Sequence, residues 1–262
     1  MGFDADWLAL REPADHQARD KDLLRKAASL AGEKPVILDL GCGTGSTIRA
    51  LETLLSNNSS WRLVDNDAVL LEVANQELDE SASLHCLDIQ NLDELPLQGV
   101  SLITASALLD LVSKEWLSDF LARVQVPVYF ALTYDGDLHW SIEDPEDFEI
   151  REAFNTHQQT DKGMGTALGP IAAEAAIEIL EDLGFEVLSA NSPWILGKEN
   201  VALQQSLVTG IAQAAREVGN NNSASWLERR ISKASEVECT VGHVDILAIP
   251  AGWQGEVERE IS

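Results

Sequence analysis

Several groups of side chains in this sequence have the types and spacing to do chemistry. The first is Asp39-Leu40-Gly41-Cys42-Gly43-Thr44-Gly45, directly after the apolar run Val36-Ile37-Leu38 and before Ser46. Glycines at this spacing let a ligand approach bare backbone where a side chain would block it. A helix opening at Ser46 would add free N–H groups from its first turn. The second is Asp65, which ends Leu63-Val64-Asp65 and is followed by Asn66 and Asp67. An acid about 20 residues beyond a glycine turn can accept from both hydroxyls of a ribose. It can also simply cap a strand or helix, and Asp67 competes for the ribose role. The third is Leu87-Asp88-Ile89, and the fourth is Ile103-Thr104-Ala105-Ser106-Ala107-Leu108-Leu109-Asp110.

A dinucleotide site of the Gly-x-Gly-x-x-Gly kind is the obvious rival for the first group. Ser46 stands where its third glycine or alanine belongs. Asp39 is a second objection, because a carboxylate repels a pyrophosphate but attracts an ammonium group.

These groups need elements to hold them, and the apolar periodicity supplies them. The first 30 residues read as helical, with Leu23, Leu24, Ala27 and Leu30 on one face. Short strands are expected at 36–38, 61–64, 83–87, 100–104 and 126–132, alternating with helices over 46–55, 68–78 and a third capped by Ser113. This rhythm predicts a parallel sheet with helices on both faces. It breaks after Tyr134, where residues 135–169 are polar with scattered aromatics and glycines. Pro170 then opens a helix that Gly184 ends. A sixth strand is expected at 185–188, two helices between 203 and 235, and a last strand at 244–249.

The motif Asp39-Leu40-Gly41-Cys42-Gly43-Thr44-Gly45, with Asp65, Asp88-Ile89 and the 103–110 loop in order behind it, resembles the class I S-adenosylmethionine (SAM)-dependent methyltransferases. The resemblance covers residues 35 to about 133. It implies an α/β fold, doubly wound around a mostly parallel seven-stranded sheet whose last strand is antiparallel. It further implies one domain over 1–262, with an N-terminal helical cap (1–33), a cofactor core (34–134) and acceptor-pocket or lid insertions (135–169 and 192–238). SAM is the implied cofactor and S-adenosylhomocysteine its product. Asp39, Gly41, Cys42, Gly43 and Gly45 would hold the methionine end, Asp65 with Asn66 the ribose, and Asp88 and Ile89 the adenine. Backbone carbonyls at Ala105 and Ser106 would meet the amine. Arg11 and Arg19, in the N-terminal helices, could pair with the SAM carboxylate or with an acidic acceptor, or could simply form surface salt bridges. The chain lacks the Asn/Asp-Pro-Pro-Tyr/Phe tetrapeptide and the Pro-Cys nucleophile of nucleic-acid methylating enzymes.

The acceptor should sit beyond the carboxyl ends of the strands. Three segments could build its pocket: 133–140, 154–163 and 192–194. Tyr134 is the first choice for an acceptor contact, and His157, then His139, for a general base. His243, at the start of the last strand, reads as structural, and Asp110 either faces the acceptor or caps the following helix. Rival functions are another chemistry on SAM, a SAM-binding subunit without activity, and a protein methyltransferase.

Composition bounds the partners. The net charge of −26 opposes nucleic acid and anionic membranes, which favours a small-molecule acceptor. No apolar run approaches the roughly 20 residues of a membrane span, and the acidic start Met1-Gly2-Phe3-Asp4-Ala5-Asp6 has no signal-peptide core. Cys42, Cys86 and Cys239 are too far apart for a metal spacing or a disulfide framework, so a cytoplasmic protein without a structural metal is expected. Monomer and homodimer both stay open.

Overall fold

The computed structural model describes residues 4–56, 58–76 and 82–253. The part of the expected second helix beyond residue 76 lies outside them. Two helices open the chain: α1 (Ala5–Ala18) and α2 (Lys21–Leu30). Asp20 starts α2 by accepting from the N–H groups of Asp22 and Leu23, an N-cap of about 1 kcal/mol. Leu23, Leu24, Ala27 and Ala28 give α2 its buried face.

The alternation then follows as β1 (Val36–Leu40), α3 (Ser46–Leu51), β2 (Ser60–Asp65), α4 (Ala68–Gln76), β3 (Ala82–Cys86), β4 (Leu102–Ser106), α5 (Lys114–Leu121) and β5 (Val128–Trp140). Ser113 caps α5 by accepting from the Trp116 N–H. The second half contributes α6 (Asp147–Gln158), α7 (Ala172–Asp182), β6 (Glu186–Asn191), β7 (Trp194–Leu196), α8 (Val201–Glu217), α9 (Ser223–Lys233) and β8 (Cys239–Ile249).

The strands form one sheet in the order β3-β2-β1-β4-β5-β8-β6, with β7 pairing β8 to one side. β1 to β5 are mutually parallel, and β8 runs antiparallel to β5 and β6. The order reverses between β1 and β4, and the crevice at such a switch point is where ligands bind in doubly wound sheets. One face of the sheet is covered by α5 and α7 around Trp116, Leu117, Phe120 and Ala176. The other is covered by α2, α3 and α4 around Leu24, Ala27, Leu51 and Ala74.

Three expectations need correction. The sheet has eight strands among the described residues, because Trp194 and Leu196 are buried as the short β7 beside β8. The helix expected over 46–55 stops at Leu51. Asp135–Trp140 is not a loop leaving the fifth strand but the rest of β5, with Leu138 against Val241 and Trp140 against Cys239. Asp135-Gly136-Asp137 looks like a turn in sequence, yet here it is an irregularity inside the ladder, with Gly136 in left-handed backbone at φ +89°. The following polar segment contains α6, which packs with α8 and α9 on a third core around Trp140, Trp194 and Trp226. Arg230 pins this layer: it lies over Trp140 and pairs with Asp147 at the start of α6. Among the described residues no helix is long and apolar enough to cross a membrane.

Candidate active site

The glycine turn leaves β1 in left-handed backbone. Gly41, Gly43 and Gly45 have φ of +63°, +53° and +85°, a region open to glycine at no steric cost. A Cβ on Gly43 would stand 3.1 Å from Leu8, and one on Gly41 3.3 Å from Leu108. The turn is therefore walled by α1 on one side and the segment after β4 on the other. Between the glycines, the Cys42 N–H donates to Val64 O at 3.1 Å and so ties the loop to β2.

Asp65, at the end of β2, reaches back to this loop. Its Oδ2 accepts from the Gly43 N–H and its Oδ1 from the Asp67 N–H, both at 2.9 Å. Asp67 caps α4 through the Val69 N–H. Asn66 is exposed beside them, and so is Asp88, whose carboxylate accepts from the Gln90 N–H. Ile89 is half-buried, and its carbonyl is held by the Trp116 indole N–H at 2.9 Å.

Asp39 and Arg19 are both buried near the turn, with the Arg19 charge acting on the carboxylate. Asp39 is 1% exposed. Its Oδ1 accepts from the Thr104 hydroxyl at 2.7 Å, and its Oδ2 has no partner among the described residues. Burial raises its pKa to about 7 against the pull of Thr104 and of the nearby Arg19 charge. Arg19 is 2% exposed and donates one Nη2 bond, to Ser106 Oγ at 3.0 Å at the end of β4. Its Nε and Nη1 are buried without a hydrogen-bond partner. A buried guanidinium with open donors is costly unless something fills them. Ala105, before Ser106, is buried in the β4 ladder beside Leu40 and Phe130.

The position of Arg19 is set from the far end of the chain. Asp245, fully buried on β8, accepts from the Asp20 N–H at 2.9 Å, the Tyr129 hydroxyl at 2.8 Å and the Leu132 N–H at 2.9 Å. One carboxylate thus fastens the α1–α2 corner to the sheet. Sequence reading passed over Asp245, although an acid inside the apolar run 244–249 was the signal, because such a charge must be hydrogen-bonded to be tolerated.

The helix α1 lies across the glycine turn. Glu12 pairs with Arg49 of α3 at 2.5 Å, His16 Nε2 contacts Ser46 at 3.1 Å, and Arg11 forms a two-bond pair with Asp15. Asp15 also takes the Trp194 indole N–H at 3.0 Å. Arg11 stacks over Trp194, 4.9 Å from the ring centroid.

The three side chains first chosen for acceptor chemistry each have partners of their own. Tyr134 is buried, donates to Asn155 Oδ1 at 2.8 Å and meets Phe154 and His243 edge-on. Burial raises its hydroxyl pKa further, with carboxylates including Asp135 and Asp110 adding to the effect. His157 lies in the last turn of α6, where its Nε2 faces Glu217 at 2.9 Å and its Nδ1 faces Lys162 Nζ at 3.3 Å. His139 projects from the β5 ladder with Nδ1 3.2 Å from Asp137. Two further buried polar groups are Asp110, just after β4, and His243 on β8, each with one atom unpartnered among the described residues. His243 packs on Trp194 at 5.2 Å.

Residues 37–126 match the model of a methyltransferase domain family. No curated protein matches this sequence. Among solved structures, geranyl diphosphate methyltransferase in complex with SAM superposes with a TM-score of 0.51 at 14% identity, over 88% of this chain and 84% of that one. The cyclopropane synthase MmaA2 from Mycobacterium tuberculosis gives 0.53 at 12% identity, over 94% of both chains. The YcgJ protein from Bacillus subtilis gives 0.50 at 13% identity, over 88% of this chain and 98% of that one. At such identities the superpositions speak for the fold, and the matched segment starts in β1 and runs through the glycine turn, β2, β3 and β4. Residues 37–126 thus carry a methyltransferase domain, set within a Rossmann-like methyltransferase fold.

Proposed function

We propose that this protein transfers the methyl group of SAM to a small-molecule acceptor and releases S-adenosylhomocysteine. The observation that carries the reading is Arg19: a buried guanidinium with two nitrogens unpartnered among the described residues, whose charge acts on the buried Asp39, at the carboxyl ends of β1 and β4. A positive and a negative group, each with an atom left unpartnered among the described residues, match the carboxylate and ammonium of an amino acid. They do not match a pyrophosphate, which Asp39 would repel.

The chain's own residues then have separable tasks. Arg19 binds the carboxylate, and Asp39 with the Ala105 and Ser106 carbonyls binds the ammonium. Gly41, Cys42, Gly43 and Gly45 leave room for close approach. Asp65 still has lone pairs free beside its two backbone donors, enough for the ribose hydroxyls, with Asn66 next to it. Asp88 and Ile89 border the adenine. When bound, the cofactor supplies a methyl group on a positively charged sulfur. The contribution of the protein is to align the acceptor with that methyl and keep water out. The closure of α1 over the turn, through Leu8, Glu12 and His16, supports a compact acceptor over a polymer, and so does the charge of −26 against nucleic acid.

Calorimetric titration with SAM, S-adenosylhomocysteine and NAD tests this. Binding of the first two and not of NAD is expected. NAD binding without either of the others would move the chain to the dinucleotide enzymes.

A further inference from the structure

The segment leaving β4 carries polar groups that the cofactor does not use. Ala107 turns in left-handed backbone at φ +50°, its N–H held by Ala131 O at 2.9 Å. On the neighbouring β5, Leu132 is left-handed too, at φ +56°, with its N–H held by Asp245. Strained non-glycine residues of this kind gather at functional sites. The turn lays Leu108 against Gly41 and buries Asp110 two residues on, to 7% exposure. Asp110 Oδ1 has no partner among the described residues. A carboxylate oxygen buried this way is missing a donor among the described residues.

The charged and titratable neighbours are Arg11 from α1, Lys162 from the segment after α6, and Tyr134 on β5. Arg11 is committed to Asp15 by two bonds. Lys162 donates to His157 O at 2.9 Å and to Thr160 Oγ1 at 3.1 Å. The Tyr134 hydroxyl donates to Asn155. On the same side His243 is held neutral, its pKa pushed down to about 3 by burial and then by Arg11, so it brings no positive charge. Tyr134, His243 and Trp194 form an aromatic wall, and a carboxylate beside aromatic rings is what attracts an ammonium group. An acidic acceptor would meet Asp110 charge against charge.

We propose that the acceptor is a small amine whose nitrogen docks on Asp110 Oδ1. This rests on the methyl-transfer reading. The protonated amine gives one proton to Asp110, which frees a lone pair on nitrogen. That lone pair forms the new N–C bond as the S–C bond breaks, and the S–C electron pair stays on sulfur to give neutral S-adenosylhomocysteine. The methylated nitrogen keeps the positive charge, and Asp110 returns its proton to solvent. Burial raises the Asp110 pKa to about 6, nearer the neutral range than an exposed carboxylate and so better suited to hold that proton.

Sinefungin, in which an amine-bearing carbon replaces the methylated sulfur of SAM, is the probe. Its affinity is compared with that of S-adenosylhomocysteine in the wild type and in Asp110→Asn. The substitution should weaken sinefungin about tenfold and leave S-adenosylhomocysteine within about twofold. An unchanged ratio overturns the proposal. The same ratio in the wild type guards against a misfolded variant: it should fall as pH drops through about 6, and a ratio flat from about pH 5 to 8 overturns the proposal equally. Asp39 would contact both ligands, so its titration cancels. Should the wild type bind neither SAM nor S-adenosylhomocysteine, the cofactor reading itself falls, which is a distinct result.

Discussion

Arg19→Ala is the sharpest single-residue test. It removes a charged hydrogen-bond donor worth roughly 1.5–3 kcal/mol, so S-adenosylhomocysteine affinity should fall about 10- to 100-fold in calorimetry, with Arg19→Lys in between. Asp39 and Asp110 make a second prediction, in pH. Both carboxyls are easier to protonate folded than unfolded, with pKa values raised to about 7 and about 6. Their contribution to stability is whole below about pH 4 and is lost as pH rises through those values. Asp39→Asn should therefore gain on the wild type between about pH 5 and 8 in denaturant unfolding; a constant gap would refute it. At this scale the glycine turn after β1 and the acid ending β2 were legible, because they follow one another along the chain. His157 stood out as a titratable group in a polar segment, yet Glu217, which meets it, comes from a distant contact no spacing rule encodes.

Elements bring their own constraint where β5 and β8 cross the bulge. A Cβ on Gly242 would stand 2.1 Å from Asp135 Oδ1, so Gly242→Ala forces that carboxylate out of place. A loss of about 1–3 kcal/mol is expected, and Asp135→Ala in the same chain should restore most of it, read as a double-mutant cycle of unfolding midpoints. Additive effects would mean the two sites do not touch. The long β5 was hard to read for the same reason. Asp135-Gly136-Asp137 carries turn chemistry, and only the length of β8, which the sequence does not announce, lets the ladder continue past it. By contrast α2, α5 and α7 were visible, because caps and apolar faces are local signals.

The molecule as a whole carries 44 acidic and 18 basic residues. Self-repulsion of that size is relieved by screening, so the thermal midpoint should rise between about 0.05 and 0.5 M sodium chloride. A midpoint that falls would indicate that ion pairs such as Glu12–Arg49 and Asp147–Arg230 outweigh the repulsion. Sheet class and parallel order were legible from the alternation of elements, since right-handed crossovers leave few other arrangements. The eighth strand and the docking of α6, α8 and α9 were not, because they depend on tryptophans meeting across distant segments.

Asp245 joins the α1–α2 corner to a strand 225 residues further on. Until β8 slides between β5 and β6, the corner holding Arg19 lacks this anchor. During synthesis, then, the cofactor pocket stays unfinished while its glycine turn has already emerged. Ligand gives the early core little help, and the nascent chain must wait for β8 before the pocket is complete.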